Sequence, residues 1–299
     1  MKLPPFDYHE PRSLDELLLF LKQHGDCSKI LAGGTNVIAQ MKSRRVVPRY
    51  LINIKNINEL CGITLRGSSL HIGPLTTIRE IERSNIIKRS CPLLSHAACE
   101  VGSPTIRNRA TIGGNLCNAS PYANLPPALQ ALDAKLRITG LEGNRLVSIS
   151  EFYVGRRRTV LKPTELLSEI IIPANSRDNI SHAFIKLPAR SYKDLASAIV
   201  AVVVEKKYNI CSSARISVGA VWHFPQRAGK AEDYLRGKPL DYDVTSRAAE
   251  IASDELSYMT DIRASAEYRR EVVRVLVDRA LKQVSRGVGF ACEENKTQG

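Results

Sequence analysis

The order of elements legible along the chain predicts an α+β fold built in two parts. Three observations carry this expectation. Helices and strands are mixed up to Pro173 without the regular strand–helix alternation of a doubly wound sheet. Strands then follow one another, and helices close the chain. Between these halves, Asn175 to Ser181 is polar and follows a proline, which marks a boundary. The expected division is residues 1–175, then an α+β region at 180–288, then a polar tail at 289–299.

Each element has a local cause. Ser13 and Glu16 stand at capping-box spacing, and Leu14, Leu17, Leu18 and Leu21 recur at helical intervals before Gly25. Lys29 to Ala32 reads as a short strand running into Gly33-Gly34, and Tyr50 to Ile54 as another. Ile63–Leu65 and Leu70–Ile72, joined by Arg66-Gly67-Ser68-Ser69, read as a hairpin. Thr77 and Glu80 cap the next helix, and Cys91 to Glu100 enters a helix through Pro92. Gly102 to Pro127 reads as a long polar loop, the kind of segment that carries function. Strands are expected at 135–139, 145–149 and 166–172, then at 184–187, 197–206 and 216–221. The last helix spans about 264–285, with Val272, Val273, Leu276, Val277, Ala280 and Leu281 on one face.

Composition narrows the function classes. The longest apolar run, Ala196 to Val204, is strand-sized, so no membrane span is expected. The start of the chain does not read as a signal peptide, and the default expectation is a cytoplasmic location. The net charge is +13, but the basic residues are dispersed. The one dense cluster, Arg156 to Arg158, reads as a solvated loop or a docking face for an acidic partner, and no nucleic-acid partner is expected. Seven cysteines without a C-x-x-C pair argue against a disulfide framework, a zinc site or an iron–sulfur cluster, so no metal ligands are assigned.

Two glycine pairs carry the chemistry. Leu31-Ala32-Gly33-Gly34-Thr35-Asn36 ends a strand in two glycines and a hydroxyl residue, which lets main-chain N–H groups approach a phosphate. Thr111-Ile112-Gly113-Gly114-Asn115 repeats the device. Together the loops could clamp a large phosphorylated ligand. Neither matches a dinucleotide fingerprint or a P-loop.

These loops, A-G-G-T-N from Ala32 and I-R-N-x-x-T-I-G-G-N-x-x-N-A-S-P from Ile106, resemble the flavin-binding domain of the molybdopterin dehydrogenases. That domain is found in the middle subunit of xanthine, carbon monoxide and related dehydrogenases. Glu165-Leu166-Leu167 with Ile170 to Pro173, Phe184-Ile185-Lys186 with Arg190, and Asp261, Arg263 and Glu267 to Arg270 extend the resemblance over essentially the whole chain.

The resemblance implies a two-subdomain, PCMH-like FAD-binding fold, with subdomains at about 1–58 and 59–175, followed by the C-terminal α+β domain of the flavoprotein subunit. It implies that Ile30, Leu31, Ala32, Gly33, Gly34, Thr35, Asn36 and Val37 wrap the FAD diphosphate. Thr111, Gly113, Gly114 and Asn115 would form the facing wall. Ser120 falls near the ribityl and diphosphate part, Leu167 at a main-chain contact to the ring, and Lys186 near the isoalloxazine. A cation there would stabilise negative charge on the reduced ring. The family commonly has aspartate where this chain has Asn124, which is kept as a ligand contact without a charge. Ala110 replaces a common glycine. The implied partners are a molybdopterin-binding large subunit and a small subunit with two [2Fe-2S] clusters. NAD or another acceptor would take the electrons. No protein acid or base is needed, so no catalytic residue is assigned, and His71, His96 and His182 read as structural or surface. Two other classes stay open: a stand-alone FAD-dependent oxidoreductase, and a flavin-free regulatory or assembly relative.

Overall fold

The computed structural model describes residues 2–173, 179–189, 194–208 and 210–287. Most of the expected boundary at 175–181, Arg190 and the tail from 289 lie outside the described residues.

The chain opens with β1 (Asp7–His9) and α1 (Leu14–His24). Ser13 caps α1 by accepting the Glu16 amide, and Leu17, Leu18 and Leu21 form its buried stripe. Then come β2 (Ser28–Leu31), α2 (Val37–Lys42) and β3 (Tyr50–Asn53). The three strands form a parallel sheet in the order β1-β3-β2.

The hairpin of β4 (Ile63–Arg66) and β5 (Ser69–Ile72) begins a second sheet. A run of short helices follows: α3 (Ile78–Arg83), α4 (Asn85–Ser90), α5 (Pro92–Cys99), α6 (Pro104–Arg107), α7 (Ile112–Cys117) and α8 (Leu125–Ala131). The last three correct the expectation of a long loop from Gly102 to Pro127. The Ser103 and Thr111 hydroxyls accept the amides of Ile106 and Gly114, and prolines occupy the first turns of α6 and α8. These helices run only four to seven residues, too short to display an apolar period. The chain continues through β6 (Lys135–Gly140), β7 (Gly143–Ser148), α9 (Ile149–Phe152), β8 (Tyr153–Gly155), β9 (Arg158–Thr159) and β10 (Leu166–Pro173). The second sheet runs β4-β5-β10-β6-β7, antiparallel throughout.

A third sheet follows in sequence order: β11 (Ile180–Pro188), β12 (Ala196–Lys207), β13 (Ile210–Gly219) and β14 (Gln226–Arg227). Helices α10 (Gly229–Leu235), α11 (Tyr242–Glu255) and α12 (Ala266–Ser285) complete the described chain. Strand β12 explains its unbroken apolar run. Ile199, Ala201 and Val203 point into a core shared with α5 and α8, while Ala198, Val200, Val202 and Val204 point into a core shared with α11 and α12. A strand covered on both faces needs no polar alternation. The fold is α+β, as the element order predicts.

Candidate functional site

The three-stranded and five-stranded sheets are separated by a cleft of about 760 Å³. Both glycine loops open onto it. Ile30, Ala32, Gly33, Gly34, Thr35, Asn36 and Val37 line one wall, and Thr111, Gly113, Gly114 and Asn115 line the other. Leu167 lines it from β10, beside a bulge where pairing to β6 shifts between Leu167 and Glu169. Leu31 does not line the cleft. It sits between two strand neighbours of opposite direction and packs with Met41 and Leu51.

The two loops are not equivalent. In the second, the donors are already bonded: Gly113 N–H to the Pro74 carbonyl at 2.9 Å, Gly114 N–H to Thr111 Oγ1 at 3.1 Å and Asn115 N–H to the Thr111 carbonyl at 2.9 Å. In the first, the N–H groups of Gly33 to Val37 meet no acceptor among the described residues. Five consecutive main-chain donors are therefore available to an anion, and the second loop supplies a wall. Gly34 takes φ +78°, which disfavours any side chain. Gly33 is required by proximity, because a Cβ there would stand 2.0 Å from the Arg109 carbonyl oxygen.

Electrostatics agree with an anionic ligand. Lys29, Arg157, Arg158 and Lys162 line the cleft with two acidic residues, Asp26 and Glu165, and Glu165 is already paired with Arg145. Arg156 to Arg158 are all exposed, as a solvated loop requires, and two of them, Arg157 and Arg158, stand at the rim of the cleft. Arg157 adopts φ 56° and its Nη1 donates to Asn118 Oδ1 at 3.4 Å. No local motif announces these arginines, which the small β8–β9 hairpin brings to the cleft. The Asn115 Oδ1 is buried without a hydrogen-bond partner among the described residues, an acceptor left for a ligand hydroxyl. Cys117 opens onto the cleft, and the protein packed around it pushes its thiol up to about 12 despite the opposing charge of Lys29.

Ser120, Asn124 and Lys186 lie outside this lining. Ser120 Oγ accepts the Tyr122 amide at 3.4 Å. Asn124 and Lys186 converge on one atom, the Glu100 carbonyl oxygen, at 2.5 and 3.0 Å. The Asn124 contact is a donation that an ionised aspartate could not make, which gives this chain's departure a structural reason. Burial lowers the Lys186 ammonium from its usual value, with Glu100 opposing. Burial, assisted by His96, depresses His182 to about 4, so it stays neutral near pH 7. Phe184 lies 5.6 Å from the His96 ring, and His71 Nδ1 pairs with Glu169 at 3.0 Å. Ala110, in place of glycine, is not among the positive-φ residues, so its Cβ brings no backbone strain.

Arg107 is an architectural member of the motif. Its Nε meets Glu82 at 2.9 Å, and its Nη1 donates to the carbonyls of Cys99, Val101 and Gly102. This clamp sets the strand of chain from which the Arg109 carbonyl reaches Gly33. Among the described residues no group of three or more His, Cys, Asp or Glu is arranged to hold a metal ion, and no helix is long and apolar enough to cross a membrane.

The donor set fits the flavin dinucleotide implied by the sequence resemblance. Its diphosphate requires N–H donors and cations, and its sugar and ribityl hydroxyls require acceptors such as Asn115 Oδ1.

Comparison with known proteins gives the same assignment. Residues 4–175 match the FAD-binding domain in molybdopterin dehydrogenase, and residues 182–284 match the CO dehydrogenase flavoprotein C-terminal domain. The chain is 33% identical over 278 residues to the carbon monoxide dehydrogenase medium chain of Afipia carboxidovorans, covering 93% of this chain and 96% of the relative. It is 29% identical over 283 residues to the xanthine dehydrogenase FAD-binding subunit of Escherichia coli O157:H7, covering 94% and 97%. Its fold superposes on a carbon monoxide dehydrogenase chain from Hydrogenophaga pseudoflava with a TM-score of 0.93 and 34% identity, covering 97% of this chain and all of the other. The chain therefore belongs to the family of FAD-binding medium subunits of the molybdenum hydroxylases, a family of oxidoreductases.

Proposed function

We propose that this chain holds one FAD non-covalently in the cleft and relays electrons from iron–sulfur clusters of a small subunit to NAD or another acceptor. The observation that carries the cofactor reading is the row of unbonded amides from Gly33 to Val37 in a cleft whose lining holds more cations than carboxylates. In this reading residues 1–175 hold the cofactor, in subdomains at about 1–58 and 59–175, and residues 180–288 form the accompanying domain. Ile30 and the loop from Ala32 to Val37 take the diphosphate, while Thr111, Gly113, Gly114 and Asn115 close the opposite side. Leu167 meets the remainder of the cofactor from within the cleft, and Ser120, Asn124 and Lys186, outside its lining, would serve only a part of the cofactor that extends beyond it.

FAD, when bound, supplies exchange of one or two electrons, so the protein needs to supply only position and charge. The chain's own groups anchor an anion, exclude water and, at Lys186, place a positive charge beside Glu100. A molybdopterin-binding large subunit and a [2Fe-2S] small subunit complete the electron path. The scatter of cysteines without a C-x-x-C pair supports a reducing, cytoplasmic setting.

The test is purification at native expression level. Acid precipitation should release a yellow cofactor, and the eluate should contain two further chains with about four irons per molybdenum, as two [2Fe-2S] clusters require. Colourless protein that fails to take up added FAD would sink the cofactor reading. A chain that purifies alone and oxidises a small organic substrate without iron or molybdenum would overturn the relay.

A further inference from the structure

Asp261, Arg263 and Arg269 stand out in the sequence, yet none of them lines the cleft. They meet instead at Tyr122, on the segment that leaves the cleft wall. That segment begins where α7 ends: Cys117 and Asn118 line the cleft, Ala119 follows, and Tyr122 lies between Ser120 and Asn124. The Tyr122 hydroxyl donates to Asp261 Oδ2. Asp261 Oδ1 accepts the Arg263 amide at 2.8 Å and the Arg269 guanidinium at 2.9 Å. The Arg263 guanidinium lies 4.5 Å from the Tyr122 ring centroid. One aromatic side chain is thus held at its hydroxyl and over its face by the turn before α12.

The neighbouring contacts also come from the C-terminal half. The Ala220 amide donates to the Pro121 carbonyl at 3.2 Å, and Gly219 approaches Pro127 so closely that a Cβ would stand 2.4 Å from its ring. The segment needs such restraint. Ala119 sits at φ 45°, a left-handed conformation that a non-glycine residue keeps only when its surroundings over-determine it. Arg269 is fully buried, with Asp261 as its counter-charge at 2.9 Å and the carbonyls of Ser197 and Met259 as its other acceptors, which ties Asp261 to α12 and β12.

We propose that Tyr122, anchored by Asp261, is a positioning residue for the cofactor cleft: through it the C-terminal helices fix the wall formed by α7 and so set the affinity and pose of the bound flavin. This rests on the FAD reading above. The residue acts through Asn118 and the end of α7.

The test compares the full chain with Tyr122→Phe, which keeps the stacked ring and removes only the hydroxyl. Asp261→Asn is less informative, because it strands the buried Arg269 charge. Arg270→Gln, on an exposed pair of the same helix, is the control. Three quantities are measured: the FAD dissociation constant of apoprotein by fluorescence titration, the visible circular dichroism of the bound flavin, and the apoprotein melting temperature. Loss of a hydrogen bond to a carboxylate should weaken FAD binding about tenfold in Tyr122→Phe. The flavin's visible dichroism should change as well, with Arg270→Gln indistinguishable from the parent. Unchanged affinity and dichroism in Tyr122→Phe would overturn the proposal, whatever happened to the melting temperature, because the contact would then be structural only. Absence of FAD binding by the parent chain would instead remove the reading on which the proposal rests.

Discussion

Gly33 and Asn115 lie in one cleft but should respond differently to substitution. The sequence argument alone expects Gly33→Val to lose flavin and keep the fold, because the side chain would occupy the space of the diphosphate. The structure adds a collision within the protein itself, with the Arg109 carbonyl 2.0 Å from the new Cβ. Gly33→Val should therefore also lower apoprotein stability, by about 1–3 kcal/mol for an overpacked contact. Asn115→Ala removes a side-chain oxygen that no described residue uses. It should change stability by less than about 0.5 kcal/mol, yet reduce flavin affinity several-fold. Thermal melts of apoprotein and the ratio of flavin to protein absorbance separate the two. Full affinity in Asn115→Ala would show that its oxygen serves no ligand. The glycine pairs were legible because few residue types tolerate such turns. Arg157 and Arg158 are not legible as cleft residues, because an arginine has the same sequence signature at a cleft rim as on any other exposed surface.

Short helices give the cleft its shape, and their joints are the sensitive points. Glu82 at the end of α3 and Arg107 at the end of α6 are mostly buried and fix the segment that approaches Gly33. Glu82→Ala leaves Arg107 with carbonyl partners alone. Breaking such a pair from one side should cost about 3 kcal/mol in urea unfolding, and the loosened segment should weaken flavin retention too. A loss below about 1 kcal/mol would be typical of an exposed pair, and would mean that the carbonyls of Cys99, Val101 and Gly102 suffice. At this scale the caps were readable: Ser13 and Thr77 take the roles their spacing predicts. The helices around Ser103 and Thr111 were missed because one or two turns are too short to display a 3.6-residue apolar period.

At the scale of the molecule, residues on both sides of the expected boundary near residue 175 contribute to one buried core. Phe184, Ala196, Ile199, Ala201, Val203 and Ala220 belong to the same buried core as the helices around the cleft. Arg215 and Arg227 on the third sheet pair with Asp133, and Ser217 donates to Gln130 at 2.6 Å. Residues 1–175 expressed alone should expose this face of α5 and α8 and aggregate, or lack a cooperative melt. A soluble fragment that melts cooperatively and binds FAD like the full chain would refute this, and would also contradict the role given to Tyr122. The fold class, the main strands, the helix caps, the two glycine loops and the family are readable from the residues alone, because each is written within a few residues or in a fixed motif. The unbonded amides of the first loop, the two arginines at the cleft rim and the hold of Asp261 on Tyr122 emerge only once the chain is packed. Each of these depends on contacts between distant segments, 139 residues apart for Tyr122 and Asp261, and such contacts are set by how whole sheets and helices pack rather than by any local period.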